Sequence, residues 1–245
     1  MDLDRHVFRT YMNMRIGIVI LTLLLPVSLI AYGLAINVEI QNSLSAYYHA
    51  IPIADCDYDQ FHALQAGQFL RSFFVGILLS VGALLYLYKG YGPKENIALN
   101  LAGIFALLVA LFPMQWPDSG DGVIFDAIKF GDKLSLHGIA AVALVFCVAY
   151  VCIRRPSNTL KYVKDEKAKA KFEKTYNILG ILMIALPVSV FVLLSFAGKN
   201  DKLILLLEIA VLVVFALFWW TQNREMKLIN EDQDAAKGIS QQYYI

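Results

Sequence analysis

Charge is the first thing this chain is short of: Asp, Glu, Lys and Arg make up only 17% of its 245 residues, against 58% hydrophobic residues and a mean hydropathy of +0.58. A water-soluble domain cannot hide that much apolar surface. The formal net charge is only +1, so there is no basic field to attract nucleic acid, which is not an expected partner. Cysteine is scarce too. Cys147 and Cys152 fall on different faces of one apolar segment and Cys56 has no evident mate, so the cysteines give no sign of a disulfide scaffold. Catalytic signatures are also missing: no His-Glu-x-x-His, no spans with facing histidines for haem, no Gly-x-Ser-x-Gly elbow and no phosphate-cradling glycine loop. The last apolar segment holds no lysine for a retinal Schiff base, and no helix carries a row of acids suited to a proton relay or cation pore. A soluble catalytic domain is therefore not expected, and neither is a cofactor.

What is present is a series of long apolar runs. About 20 apolar residues cross the roughly 30 Å hydrocarbon layer as a helix, and six segments fit: 16–36, 68–88, 97–116, 134–153, 176–198 and 203–222. Barrel strands are excluded because no ten-residue apolar/polar alternation occurs. The expected fold is all-α, an integral membrane bundle of six transmembrane helices in one domain over 1–222, followed by a polar, mobile tail over 223–245. The first run is read as a signal anchor: it is longer than a signal-peptide core, and no small-x-small cleavage site follows at Ile36 to Ile40.

Basic residues set the direction. Arg5, Arg9, Arg15, Lys89, Lys94, the stretch from Arg154 to Lys174, Arg224, Lys227 and Lys237 all fall in alternate connections. The positive-inside rule makes those connections cytoplasmic, with both termini inside and the protein multi-pass in the inner (plasma) membrane. The outward connection 37–68 is long and rich in apolar residues, so it is expected to pack on the bundle or to meet a membrane-protein partner.

Ionisable residues inside spans are costly in lipid, and each is a functional candidate. Arg71, His137 and Glu208 share a depth below the outward surface, and Ser43, Tyr47 and Tyr48 are the nearest uncommitted hydroxyls. One reading makes Arg71 and Glu208 a structural ion pair; the other makes these six residues line an outward polar pocket for a lipid headgroup or small ligand. His49, Asp55, Asp57 and His62 form a second, weaker cluster. Its aspartate spacing resembles the start of a calcium loop, but Gln60 and Ala66 stand where glycine and glutamate are needed. Pro26 and Pro187 interrupt spans one and five, and small residues such as Gly76, Ser80, Gly82 and Gly138 suit close helix packing.

The stretches Ser43-Leu-Ser-Ala-Tyr-Tyr-His49, Phe74-Val-Gly76, Tyr88-Lys-Gly-Tyr91, Asn100-Leu-Ala-Gly103 and Ala110-Leu-Phe-Pro113, with Arg71, Leu136-His137 and Glu208, resemble an uncharacterised family of bacterial multi-pass membrane proteins of the domain-of-unknown-function kind. The resemblance implies the same six-helix bundle and a shared site near Ser43, Tyr47, Tyr48, Arg71, His137 and Glu208; it implies no reaction. Ser72 departs from the family pattern, which has an acid there, and the insertion 51–68 is peculiar to this chain. The expectation is a membrane protein that binds lipid or a small ligand in an outer-leaflet pocket, or is a subunit of a membrane complex. The alternatives are a lipid hydrolase using His137 with a carboxylate or metal, and a channel or pore-forming effector.

Overall fold

In the computed structural model, which describes residues 3–52, 60–90, 92–112, 114, 129–130, 134–154, 159–197 and 202–242, the chain forms six helices. They are α1 (Leu3–Ala35), α2 (Gln60–Leu87), α3 (Pro93–Leu111), α4 (Leu136–Arg154), α5 (Glu166–Ala197) and α6 (Leu203–Gln242). Short 3-10 turns cover Ser45–Tyr48 and Leu160–Tyr162. Among the described residues the only strand pairing is a two-residue antiparallel ladder, Lys129–Phe130 with Leu134–Ser135, in the connection before α4.

Five of the helices are long and apolar enough to cross a membrane. The other, α5, spends its first ten of 32 residues on a charged stretch, and its apolar run begins only at Tyr176. Large apolar side chains point away from the bundle: Phe146 is 68% exposed and Ile181 66%. A fold in water would bury such residues, whereas lipid replaces that burial here.

Each helix packs on its sequence neighbours, and α6 closes back on α1, so the bundle is a ring. The tightest crossing is α2 on α3. A Cβ added at Gly103 would lie 2.6 Å from the Gly82 carbonyl oxygen and 2.8 Å from the Tyr86 nitrogen, so the two backbones touch because neither glycine has a side chain. Gly76 takes no part, since nothing lies within 4 Å of its Cβ position.

Helix ends differ from the expected span limits because caps, not hydropathy, fix them. α1 stops in a Schellman turn: Asn37 takes a positive φ of 57°, Val38 N–H bonds the Gly33 carbonyl and Asn37 N–H the Leu34 carbonyl. α3 starts at Pro93, with Glu95 in its first turn where the helix dipole favours an acid. α2 reaches back to Gln60, so part of the expected outward loop is helix. α6 likewise continues to Gln242, a correction to the mobile tail expected over 223–245. The reason is visible in the sequence: Phe218, Gln222, Glu225 and Ile229 extend the buried face at helical spacing, and all four are buried.

Candidate functional site

One end of the ring, the end that the sequence reading expects to face outward, is organised by the segment Ser43 to His49, which folds across the ends of α3, α4 and α6. Its 3-10 turn is started by Ser43, whose Oγ accepts from the Ala46 N–H at 3.1 Å and donates towards the Met114 Sδ at 3.6 Å. Tyr47 drops into the groove left by Gly33, where a Cβ would come within 3.0 Å of its ring. The Tyr47 hydroxyl accepts from the Gln41 N–H at 3.4 Å; burial pushes its phenol up from the usual 10.0, and that bond pulls the other way.

Both intramembrane candidates from α4 and α6 are fastened to this segment. The Nδ1–H of His137 donates to the Phe112 carbonyl at 2.9 Å, a group left open by the end of α3. A carbonyl can only accept, so in a neutral ring Nε2 is the acceptor, and the Ser45 hydroxyl donates to it at 2.9 Å. Glu208, one turn into α6, accepts the Leu44 backbone N–H on Oε2 at 2.5 Å.

Arg71 is placed differently. It lies exposed on α2, its Nε donates to the Tyr48 carbonyl at 3.3 Å, and its guanidinium carbon stands 4.6 Å from the centre of the Tyr48 ring. Tyr48 is in turn held edge-on by Phe74. Among the described residues no ion pair joins Arg71 to Glu208, so the expected structural pair is not formed. Each charge instead has its own partner in the capping segment. Ser43, Tyr47, Tyr48, His137, Glu208 and Arg71 are thus brought to one end of the ring, with backbone groups of 44 and 48 as the common attachment.

His49 joins this end through its Nε2–H, which donates to the Met114 carbonyl at 2.8 Å. Burial lowers its pKa below the usual 6.5, the Met114 bond raises it, and the Arg71 charge lowers it further. Of the weaker metal candidates, Asp55 and Asp57 lie outside the described residues, and His62 enters only through the backbone of α2. Among the described residues no three His, Cys, Asp or Glu side chains cluster as metal ligands would.

The opposite end holds a polar network that the sequence reading did not single out. Arg15, 2% exposed, donates from Nε (2.9 Å) and Nη2 (2.5 Å) to the Tyr88 hydroxyl, and Tyr88 packs edge-on against Trp219 at 4.8 Å. Tyr176 donates its hydroxyl to Glu225 Oε2 at 2.6 Å, while among the described residues Glu225 Oε1 and both side-chain polar atoms of Asn223 are buried without a hydrogen-bond partner. Glu95 and Gln222 are buried at the same end. These residues were missed because each sits beside a basic connection and reads as a loop charge; the helical spacing from Phe218 to Ile229 was the available signal. Between the two ends lie buried apolar side chains, among them Leu25, Leu29, Leu78, Ala102, Ala106 and Phe215. No protein-family model, curated protein or solved structure matches this chain.

Proposed function

We propose that the chain is a multi-pass plasma-membrane protein, with both termini in the cytoplasm, that binds the phosphate headgroup of a lipid at the outward end of its helix ring. The observation that carries this reading is the state of Arg71. Its position is about two turns inside the apolar part of α2, where an arginine costs on the order of 3 kcal/mol. Among the described residues only its Nε is used and no carboxylate lies in ion-pair range. The Tyr48 ring, 4.6 Å from the guanidinium carbon, and the Nε bond hold the group in place, and its Nη nitrogens form the fork that would take two oxygens of a phosphate. The aliphatic stem reaches along the helix so that the head can sit at headgroup level.

A hydrolase is less well served by the same geometry. A general base must have a ring nitrogen for the substrate, and both nitrogens of His137 are occupied by Phe112 and Ser45. A channel is disfavoured by the buried apolar side chains that lie between the two polar ends. The basic ends gathered on one side of the ring support the assigned orientation.

The test is native mass spectrometry of the purified chain and of Arg71→Gln, Arg71→Lys and Tyr48→Leu. The expected result is one phosphate-bearing lipid fewer retained by Arg71→Gln than by the wild type and intermediate occupancy in the other two, with melting temperatures little changed because Arg71 is exposed. Undiminished lipid on Arg71→Gln would overturn the proposal.

A further inference from the structure

The connection between α4 and α5 and the first turns of α5 carry six of the chain's fourteen lysines, and the structure shows how they are arranged. Lys167, Lys171 and Lys174 are all exposed and are spaced by four and three residues, so they form one stripe on α5. The same stripe continues without a break into Ile178 and Ile181, which are 47% and 66% exposed, and then Ala185 and Val188. One helix face therefore passes directly from cations to lipid-facing hydrocarbon, and Lys174 stands only about 10 Å along the axis from Ile181. Among the described residues the ion pair of this segment is Glu166 with Lys169 at 3.4 Å, both off the stripe; Asp165 takes the Lys167 backbone N–H, and neither it nor Glu173 forms an ion pair with a stripe lysine. The 3-10 turn Leu160–Tyr162 packs beside it, anchored by buried Leu160 and Val163, with exposed Tyr162 carrying the Lys161 ammonium 5.0 Å from its ring centre.

We infer that this stripe is a binding site for an anionic phospholipid of the adjoining leaflet, its acyl chains lying along Ile178, Ile181 and Val188 and its phosphate between Lys171 and Lys174. The charge and the apolar run select the ligand together. A free anion would use the lysines but not the isoleucines, and a zwitterionic lipid would use the isoleucines but gain little from the lysines. A face open to bulk water would not continue as bare isoleucine. The exposed Tyr162 is the aromatic residue expected at headgroup level. This site is at the opposite end of the ring from Arg71 and does not depend on the function proposed for that end.

The experiment reconstitutes the full chain in phosphatidylcholine vesicles and compares spin-labelled phosphatidylglycerol with spin-labelled phosphatidylcholine by the motionally restricted fraction of each. The expected preference for phosphatidylglycerol is about fivefold, the factor that about 1 kcal/mol, the worth of one lysine near an anionic surface, corresponds to. It should fall towards unity in the triple variant Lys167→Gln, Lys171→Gln, Lys174→Gln, and persist in Arg71→Gln. Replacement of Lys161 and Lys164 by Gln should leave most of it. Equal restriction of the two lipids by the wild type, a preference unchanged in the triple variant, or one abolished by the Lys161 and Lys164 changes instead would overturn the assignment. All these lysines are exposed, so loss of fold does not confuse the readout.

Discussion

Leu44 gives its backbone N–H to Glu208 at 2.5 Å, which fastens the segment after α1 to the first turns of a helix that begins more than 150 residues later. The bond does for the outward end what α6 packing on α1 does for the ring: it joins the two extremes of the fold. Glu208→Ala would leave the Leu44 N–H without its acceptor, at a cost of about 1–3 kcal/mol. Glu208→Gln keeps an acceptor oxygen and should recover most of that loss. Thermal unfolding of both variants in the same detergent checks it, and equal melting of Glu208→Ala and wild type would show that the bond adds nothing to stability.

The α2–α3 crossing makes a sharper demand on sequence. At Gly103 a methyl group would stand 2.6 Å from the Gly82 carbonyl oxygen and 2.9 Å from the Tyr86 Cβ, neither of which can move without shifting a helix. Gly103→Ala should therefore destabilise by about 1–3 kcal/mol. Gly76→Ala, into open space, should be neutral or slightly stabilising, since alanine is the better helix former. The comparison of the two melting temperatures separates packing from propensity.

His49 gives the outward end a pH response whose sign can be worked out. Its pKa is lowered in the fold, chiefly by burial, so between the lowered value and the usual 6.5 the unfolded chain binds a proton that the folded one does not. Stability from this group is thus fully present above about pH 6.5 and is lost as pH falls below it. The segment 43–49 should loosen on acidification, seen as faster amide exchange at Ala46 and Tyr47, and His49→Gln should flatten that dependence. Exchange that slows on acidification after correction for intrinsic rates would contradict the assignment.

Much of this was legible in the sequence, for definable reasons. Long apolar runs report spans directly because lipid admits few other backbones, and all six helices occur where the runs lie. The shared depth of Arg71, His137 and Glu208 also placed them correctly at one end. Their partners were not legible: charge arithmetic suggested Arg71 with Glu208, while the structure gives each a backbone group of the capping segment, and a backbone N–H or carbonyl leaves no trace in residue identity. The polar network at the other end was hidden for a different reason. Arg15 and Glu225 flank spans, and burial there depends on α1 and α6 running past the membrane-spanning stretch together.

That network makes its own prediction. Tyr176 is the hydrogen-bond donor to Glu225 Oε2, and Oε1 has none among the described residues, so Tyr176→Phe leaves a wholly buried carboxyl bare. The expected loss is about 1.5–3 kcal/mol. In Glu225→Leu the carboxyl is gone, and adding Tyr176→Phe to it should cost much less than in the wild type, the mark of two residues that interact. Additive losses in the double-mutant cycle would mean that the 2.6 Å contact contributes no coupling.

The distribution of charge around the ring allows one decisive arrangement of topology reporters. Hydrogen bonds and ring contacts bring Arg15, Tyr88, Tyr176 and Glu225 to one end, and that end also receives the connections bearing Lys94, Lys164 and Lys171. Lysine and arginine are retained on the cytoplasmic side when short connections are inserted. Reporter fusions at Lys94, Lys164 and after Gln242 should therefore all score as cytoplasmic, and fusions at Asp57, Asp121 and Asn200 as external. Because α6 is a single helix from Leu203 to Gln242 whose apolar part is long enough to span, its two ends are expected on opposite sides, so the fusions at Asn200 and after Gln242 should disagree. The same sign from both would break the six-span ring, and with it the assignment of Arg71 to the outer leaflet. Uniform inversion of all six reporters would keep the ring and move the Arg71 site to the inner leaflet.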